Sequence, residues 1–279
     1  MDPKEFKKED LKLIKELNKK TFSIEYEGEY HGNKYLIKKL SKDNIDFNKE
    51  DEIREYMKTC LKREIDIARQ MSQLENSVKL YFNFEEEKDY VLIFELCDTD
   101  LSQLLDEKKR FSSSEILSIM KDLNNAFKYM YNNSLLHRNI KPENILIKYT
   151  DSSKTKFIPK IYGYGFSREL ENGKASTEVG TPRFMAPEVI IGENDYDNKS
   201  DLYSIGVMMY YLYFGSYPFE IPKGRGIKKM KEIYDKPKKE NCEDKVLDDL
   251  LNKLLAFEPE KRITWEEYLN HPFFNIKNQ

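Results

Sequence analysis

The order of hydrophobic periodicities limits the fold of this chain more than any other feature. From about residue 22 to residue 94, apolar side chains recur mostly at every second position, the period of a strand with one face buried. Residues 23–28 and 34–40 flank a turn containing Gly32-Asn33, a hairpin signal. Residues 78–84 and 90–94 alternate around the polar turn 85–89. One helical stretch, 49–71, interrupts the strands, with Ile53, Met57, Leu61, Ile65 and Ala68 spaced three or four apart. Beyond Leu96 the helical period takes over. A serine run caps an amphipathic helix over 111–132, and later helices are predicted over 201–214, about 242–255 and 264–269. A second hairpin, 145–148 with 157–162, turns at Asp151-Ser152-Ser153. The expected class is therefore α+β: a small sheet-rich lobe with one main helix, joined to a larger helical lobe.

Composition removes several alternatives. The 279 residues are 39% hydrophobic and 35% charged, enough for one large or two small cores. A net charge of -3 gives no general basic field for nucleic acid. Cys60, Cys97 and Cys242 are odd in number and widely spaced, which fits a reducing compartment rather than a disulfide framework or a zinc site. The apolar run 202–219 contains Ser204, Gly206, Gly215 and Ser216 and reads as a buried core helix rather than a membrane span. No signal-peptide pattern opens the chain. The expectation is a soluble, cytoplasmic protein with no membrane or nucleic-acid partner.

Residues 137–144 read His-Arg-Asn-Ile-Lys-Pro-Glu-Asn. With the motifs around it, this stretch resembles the catalytic loop of a eukaryotic serine/threonine protein kinase domain, H-R-D-L-x-x-x-N. The resemblance runs over residues 11–274, with a smaller lobe over about 11–96 and a larger one over 97–274. Lys38, in Tyr-Leu-Ile-Lys, stands where the family has its phosphate-contacting lysine, and Glu64 where a helix glutamate pairs with it. Phe94 resembles the gatekeeper, and Glu95-Leu96-Cys97 the hinge that meets an adenine. Lys141 is the serine/threonine-type loop residue. Ala186-Pro187-Glu188 matches A-P-E, Asp201 opens the expected central helix, and Arg262 is placed to pair with Glu188. Alone, Lys38 would be an ordinary strand lysine and Glu64 a solvated helix carboxylate. Their order and spacing give them the family reading.

The departures concentrate on nucleotide, metal and proton transfer. Asn139 stands where the family has the aspartate that accepts the substrate hydroxyl proton. Gly163, in Tyr162-Gly163-Tyr164-Gly165-Phe166, replaces the magnesium-binding aspartate of D-F-G, so Asn144 is the one metal ligand retained. Asn18, Lys20 and Ser23 replace the three glycines of the phosphate loop, Glu25 replaces the valine over the adenine, and Leu36 the small alanine beside it. Residues that hold the larger lobe together (Glu188, Arg262, Asp201, Arg138) remain.

The resemblance therefore implies a catalytically deficient member, a pseudokinase acting through protein contacts, with no intact catalytic residue and no cofactor expected. Lys38, Glu64, Glu95 and Cys97 would be the vestiges of its ATP site. The alternatives are a weakly active ATP-dependent serine/threonine kinase, and a switch that binds ATP without firm metal dependence and transfers nothing. Two regulatory expectations accompany these readings. The stretch 222–239 carries Lys223, Arg225, Lys228, Lys229, Lys231, Lys236, Lys238 and Lys239 against Glu232 and Asp235, a local charge of +6. It is a docking candidate for an acidic protein, although a solvated face is the commoner meaning of such a run. Ser176 and Thr177 are phosphorylation candidates that Arg138 would clamp.

Overall fold

A two-residue turn sets the register of the first sheet. Strands β2 (Ser23–Tyr30) and β3 (Asn33–Ser41) pair antiparallel from Ser23↔Leu40 to Tyr30↔Asn33, leaving His31 and Gly32 as the whole turn. Both have positive φ, 48° and 77°, the mirror-image turn whose twist matches that of the strands it joins. The turn thus falls one residue earlier than Gly32-Asn33, because Asn33 is already paired. With β1 (Lys12–Lys19), β4 (Leu80–Glu85) and β5 (Asp89–Glu95) these strands form a five-stranded antiparallel sheet in the order β1-β2-β3-β5-β4. The structure, a computed structural model, describes residues 6–19, 23–42, 51–170, 175, 180–191, 196–219 and 240–275, with the backbone alone for 51–57.

Helix α1 (Asp51–Met71) carries Leu61, Glu64, Ile67, Ala68 and Met71 on its buried face. Ile65 is only half-buried, and the side chains of Ile53 and Met57 lie outside the described residues. A carboxylate within an apolar stripe has to find a partner, since an isolated buried charge is costly. That requirement organises the cleft described below.

The larger lobe begins with β6 (Thr99–Asp100), which the sequence did not reveal, and α2 (Leu101–Lys108), whose first amides are capped by the Asp100 carboxylate. Helix α3 (Ser113–Asn132) opens with a capping box in which Ser112 and Glu115 satisfy each other's amides. Short β7 (Leu135–Leu136) follows, then β8 (Ile145–Tyr149) and β9 (Phe157–Ile161), and then β10 (Arg168–Glu169). The pairing is β6-β8-β9 in one sheet and β10-β7 in another. Among the described residues, helices α4 (Pro187–Ile191), α5 (Lys199–Phe214), α6 (Lys245–Leu254), α7 (Trp265–Leu269) and α8 (Pro272–Asn275) follow. Helix α6 starts at Lys245 rather than near Cys242, because Asp244 accepts the amides of Val246 and Leu247 and fixes the first turn there.

Most of the apolar run 202–219 falls in α5, which is buried almost throughout and forms the axis of the lobe. Gly206 lets α6 approach it: a Cβ there would lie 2.7 Å from Leu254 Cβ. Among the described residues, no helix is long and apolar enough to cross a membrane.

One ion pair ties α4 to the far end of the lobe. Arg262 donates to both Glu188 oxygens, Nη1 at 2.7 Å and Nη2 at 2.9 Å, and to the carbonyls of Lys199 (2.9 Å) and Ala256 (3.2 Å). Its guanidinium also lies over the Tyr203 ring at 4.9 Å. The arginine side chain is fully buried, so removing one partner strands a charge in the interior. Arg262→Met should cost about 3–5 kcal/mol, read as a lower urea midpoint with unchanged slope.

Candidate functional site: the cleft between the lobes

Four polar groups meet where the small sheet faces the larger lobe. Lys38 on β3 is ion-paired with Glu64 on α1, and both are buried. Glu25 on β2 is the cross-strand neighbour of Lys38 and also buried. Tyr162, directly after β9, sends its hydroxyl to Glu25 Oε1 at 2.9 Å. The Tyr162 ring stands edge-on to Phe94, centroids 5.3 Å apart. Burial, then the charges of Glu25 and Glu64, hold the phenol far above its ordinary pKa, so it remains a donor. Leu36 is buried opposite Phe94 in the β3–β5 register and fills core.

At the end of β5 the chain crosses between lobes. Glu95 pairs with Lys160 at 3.2 Å, and Lys148 Nζ donates to the Leu96 carbonyl at 3.0 Å. Burial, helped by the charge of Glu95, pushes the Cys97 thiol up to about 12. It stays protonated and is no nucleophile near neutral pH.

The loop 137–144 hangs on α5. Asp201 accepts the amides of His137 (2.7 Å) and Arg138 (2.9 Å), and this holds Arg138 at a φ of 64° that L side chains seldom adopt. His137 Nδ1 accepts the Asn139 amide at 3.2 Å, so Nε2 carries the proton and donates to the Tyr162 carbonyl at 3.1 Å. Asn139 Oδ1 accepts from the Thr181 hydroxyl at 2.9 Å, and Asn144 Nδ2 donates to the Asn139 carbonyl at 2.8 Å. Lys141 approaches Glu143 at 4.0 Å. Gly163 adopts φ 89°, and a Cβ placed there would lie 2.9 Å from Asn144 Oδ1. Next to it, Tyr164 is buried against His137, ring centroids 5.6 Å apart, with its hydroxyl 2.6 Å from Ser77 Oγ.

Chemically, the loop presents amides at 139 and 144 and a bare glycine at 163. An amide oxygen accepts a hydrogen bond but does not take up a proton near neutral pH. Arg138 donates through Nε to the Phe166 carbonyl at 2.5 Å and through Nη1 to the Tyr196 hydroxyl at 3.3 Å. Asn18 pairs with Glu25 at the end of β1, and Ser23 begins β2. Lys20, Ser176, Thr177 and the basic stretch from Lys223 to Lys239 lie outside the described residues.

Sequence reasoning missed two contacts here, the Tyr162–Glu25 bridge and the Thr181–Asn139 bond. The first had a signal: Glu25 occupies an inward position of β2, where the strand period calls for an apolar side chain.

The loop should also leave a signature in acid. Burial lowers His137 from 6.5 to about 4, partly opposed by the Tyr162 carbonyl. Its contribution to stability is complete above pH 6.5 and is lost as pH falls toward about 4, because the unfolded chain takes the proton first. Asp201 has the opposite sense. Burial raises it from 3.8 to about 6 against the two amide bonds and Arg138, so its contribution is complete below 3.8 and lost as pH rises through 6. His137→Gln should therefore lose less stability than the parent between pH 6.5 and 4, checked by urea midpoints across that range.

Known proteins extend this picture. The protein kinase domain family model matches residues 23–274. The chain is 31% identical over 278 residues to calcium-dependent protein kinase 4 of Plasmodium berghei (strain Anka), covering 96% of this chain and 50% of that protein. It is 33% identical over 231 residues to the phosphorylase b kinase gamma catalytic chain, liver/testis isoform, of Bos taurus, covering 79% and 55%. It is 36% identical over 219 residues to calcium-dependent protein kinase 5 of Plasmodium falciparum (isolate 3D7), covering 77% and 38%. The chain thus spans about half the length of the first two of these relatives.

Proposed function

The chain belongs to the protein kinase domain family, and from that premise we propose that it is a catalytically deficient member, a pseudokinase that acts as a protein-interaction scaffold or allosteric regulator in phosphorylation signalling. The observation that carries this reading is Asn139. It stands at the base position of the loop, and its amide oxygen is engaged by Thr181. Loss of a general base typically lowers rate by 10²–10⁴.

Magnesium, which the family implies, does not fit the residues present. Gly163 offers no ligand, and Asn144 directs its amide nitrogen at the Asn139 carbonyl, leaving one neutral oxygen. Magnesium is usually bound through one or two carboxylates together with substrate phosphates. The residues that remain hold structure: Asp201 fixes the loop, the Glu188–Arg262 pair fixes the segment before α5, and Tyr164 fills the interior against His137.

A second reading, an ATP-dependent serine/threonine kinase, draws on the Lys38–Glu64 ion pair and on relatives that are named kinases. A third, a nucleotide switch without transfer, draws on the same ion pair. Thermal-shift titration with ATP, with and without magnesium, on the protein and on Lys38→Ala separates the three. A ligand at one hundred times its Kd stabilises by about 2.7 kcal/mol. The pseudokinase reading expects no magnesium-dependent shift. A magnesium-dependent shift that Lys38→Ala abolishes would replace it with the enzyme, and a metal-independent one would replace the pure scaffold with the switch.

A further inference from the structure

Tyr162 and Glu25 are 137 residues apart and come from opposite walls of the cleft. The backbone of Tyr162 is fixed on the lower wall at both ends: its amide donates to the Asn144 carbonyl at 2.9 Å, and its carbonyl accepts from His137 Nε2 at 3.1 Å. From that fixed point the side chain passes Phe94 edge-on and ends on a carboxylate of β2. Both residues are more than nine-tenths buried. In the family the nucleotide slot lies between the hinge and β2, and this hydrogen bond runs across that place from floor to roof.

The charges point the same way. Lys38 is already paired with Glu64, and the strand neighbour that flanks it, Glu25, is a second carboxylate. A triphosphate entering beside Lys38 would meet, besides the Lys38–Glu64 pair, the carboxylate of Glu25 in surroundings where charges are weakly screened. The phenol stays protonated through the physiological range because its burial disfavours the phenolate, so neutral pH does not release the bridge.

We infer that the Tyr162–Glu25 hydrogen bond is an internal gate that bars adenine nucleosides and nucleotides from the cleft and couples the two lobes without a ligand. The inference rests on the family assignment of the cleft and deepens the pseudokinase reading, since it assigns a physical cause to nucleotide exclusion that is separate from the missing base and metal ligand. The gate has two halves with different duties. The ring supplies bulk beside Phe94, and the hydroxyl supplies the link to the roof. Removing the hydroxyl alone cuts this link between the lobes, and removing the ring opens space for a purine.

The test uses the whole chain in four forms, parent, Tyr162→Phe, Glu25→Val and the double variant, together with Tyr162→Ala/Glu25→Val. Melting temperatures form a double-mutant cycle, and adenosine, which carries no charge, is the binding probe, followed by ATP without metal. The gate predicts that the double variant melts no lower than the worse single, and that Tyr162→Ala/Glu25→Val binds adenosine at least tenfold more tightly than the parent. Strictly additive melting losses, or adenosine affinity unchanged within twofold, would overturn it. If the alanine form does not fold, the cycle with Tyr162→Phe decides alone. Magnesium-dependent phosphate transfer by the parent would sink the pseudokinase reading whatever the cycle shows, whereas an additive cycle in an inactive protein would sink the gate only.

Discussion

The Asp201 carboxylate is the fixed point from which the cleft is built. It sits in the first turn of α5, a helix buried almost throughout, and accepts two successive loop amides. A buried carboxylate tolerates that position only with such partners. Those two bonds orient His137, whose ring then holds the Tyr162 carbonyl and packs on Tyr164. Through Tyr162 the same chain of contacts reaches Glu25 on the small sheet. The lower wall of the cleft is therefore a consequence of core anchoring and requires no reacting group to hold its shape.

That separation explains how scaffold and chemistry can part company in one chain. Lys38 and Glu64 illustrate it. Their retention looks like a nucleotide site, yet Glu64 lies in the apolar face of α1 and needs a cation for structural reasons alone. Their pairing is thus neutral between the readings. Asn139 is not neutral, because nothing in the fold requires an amide in place of a carboxylate there, whereas at Gly163 a Cβ would lie 2.9 Å from Asn144 Oδ1 and the space itself favours glycine. Gly163 also adopts a left-handed backbone that suits glycine, so Asn139 is the residue that separates the readings.

Much of the architecture was legible in the sequence because it is locally encoded. The β2–β3 hairpin, the serine-capped α3 and the apolar α5 each announce themselves within a few residues. Boundaries that depend on one cap were not, so α6 begins at Lys245 under the Asp244 carboxylate instead of near Cys242. Helix α2 was missed because its eight residues carry only a short apolar pattern, Leu101, Leu104 and Leu105. The pairings of Lys38 with Glu64 and of Arg262 with Glu188 could be read from motif order. The Tyr162–Glu25 bridge could not, because two side chains 137 residues apart meet only once both lobes are folded. Glu25 alone signalled that an inward-facing carboxylate awaited a partner.

We propose that this cleft keeps its frame and lacks the groups for phosphate transfer. The most direct measurement is a single-turnover assay with γ-labelled ATP and excess protein, with magnesium and with manganese, run beside Lys38→Ala. The account predicts no label on the chain or on an added protein substrate above the Lys38→Ala level. Metal-dependent transfer that Lys38→Ala abolishes would contradict it.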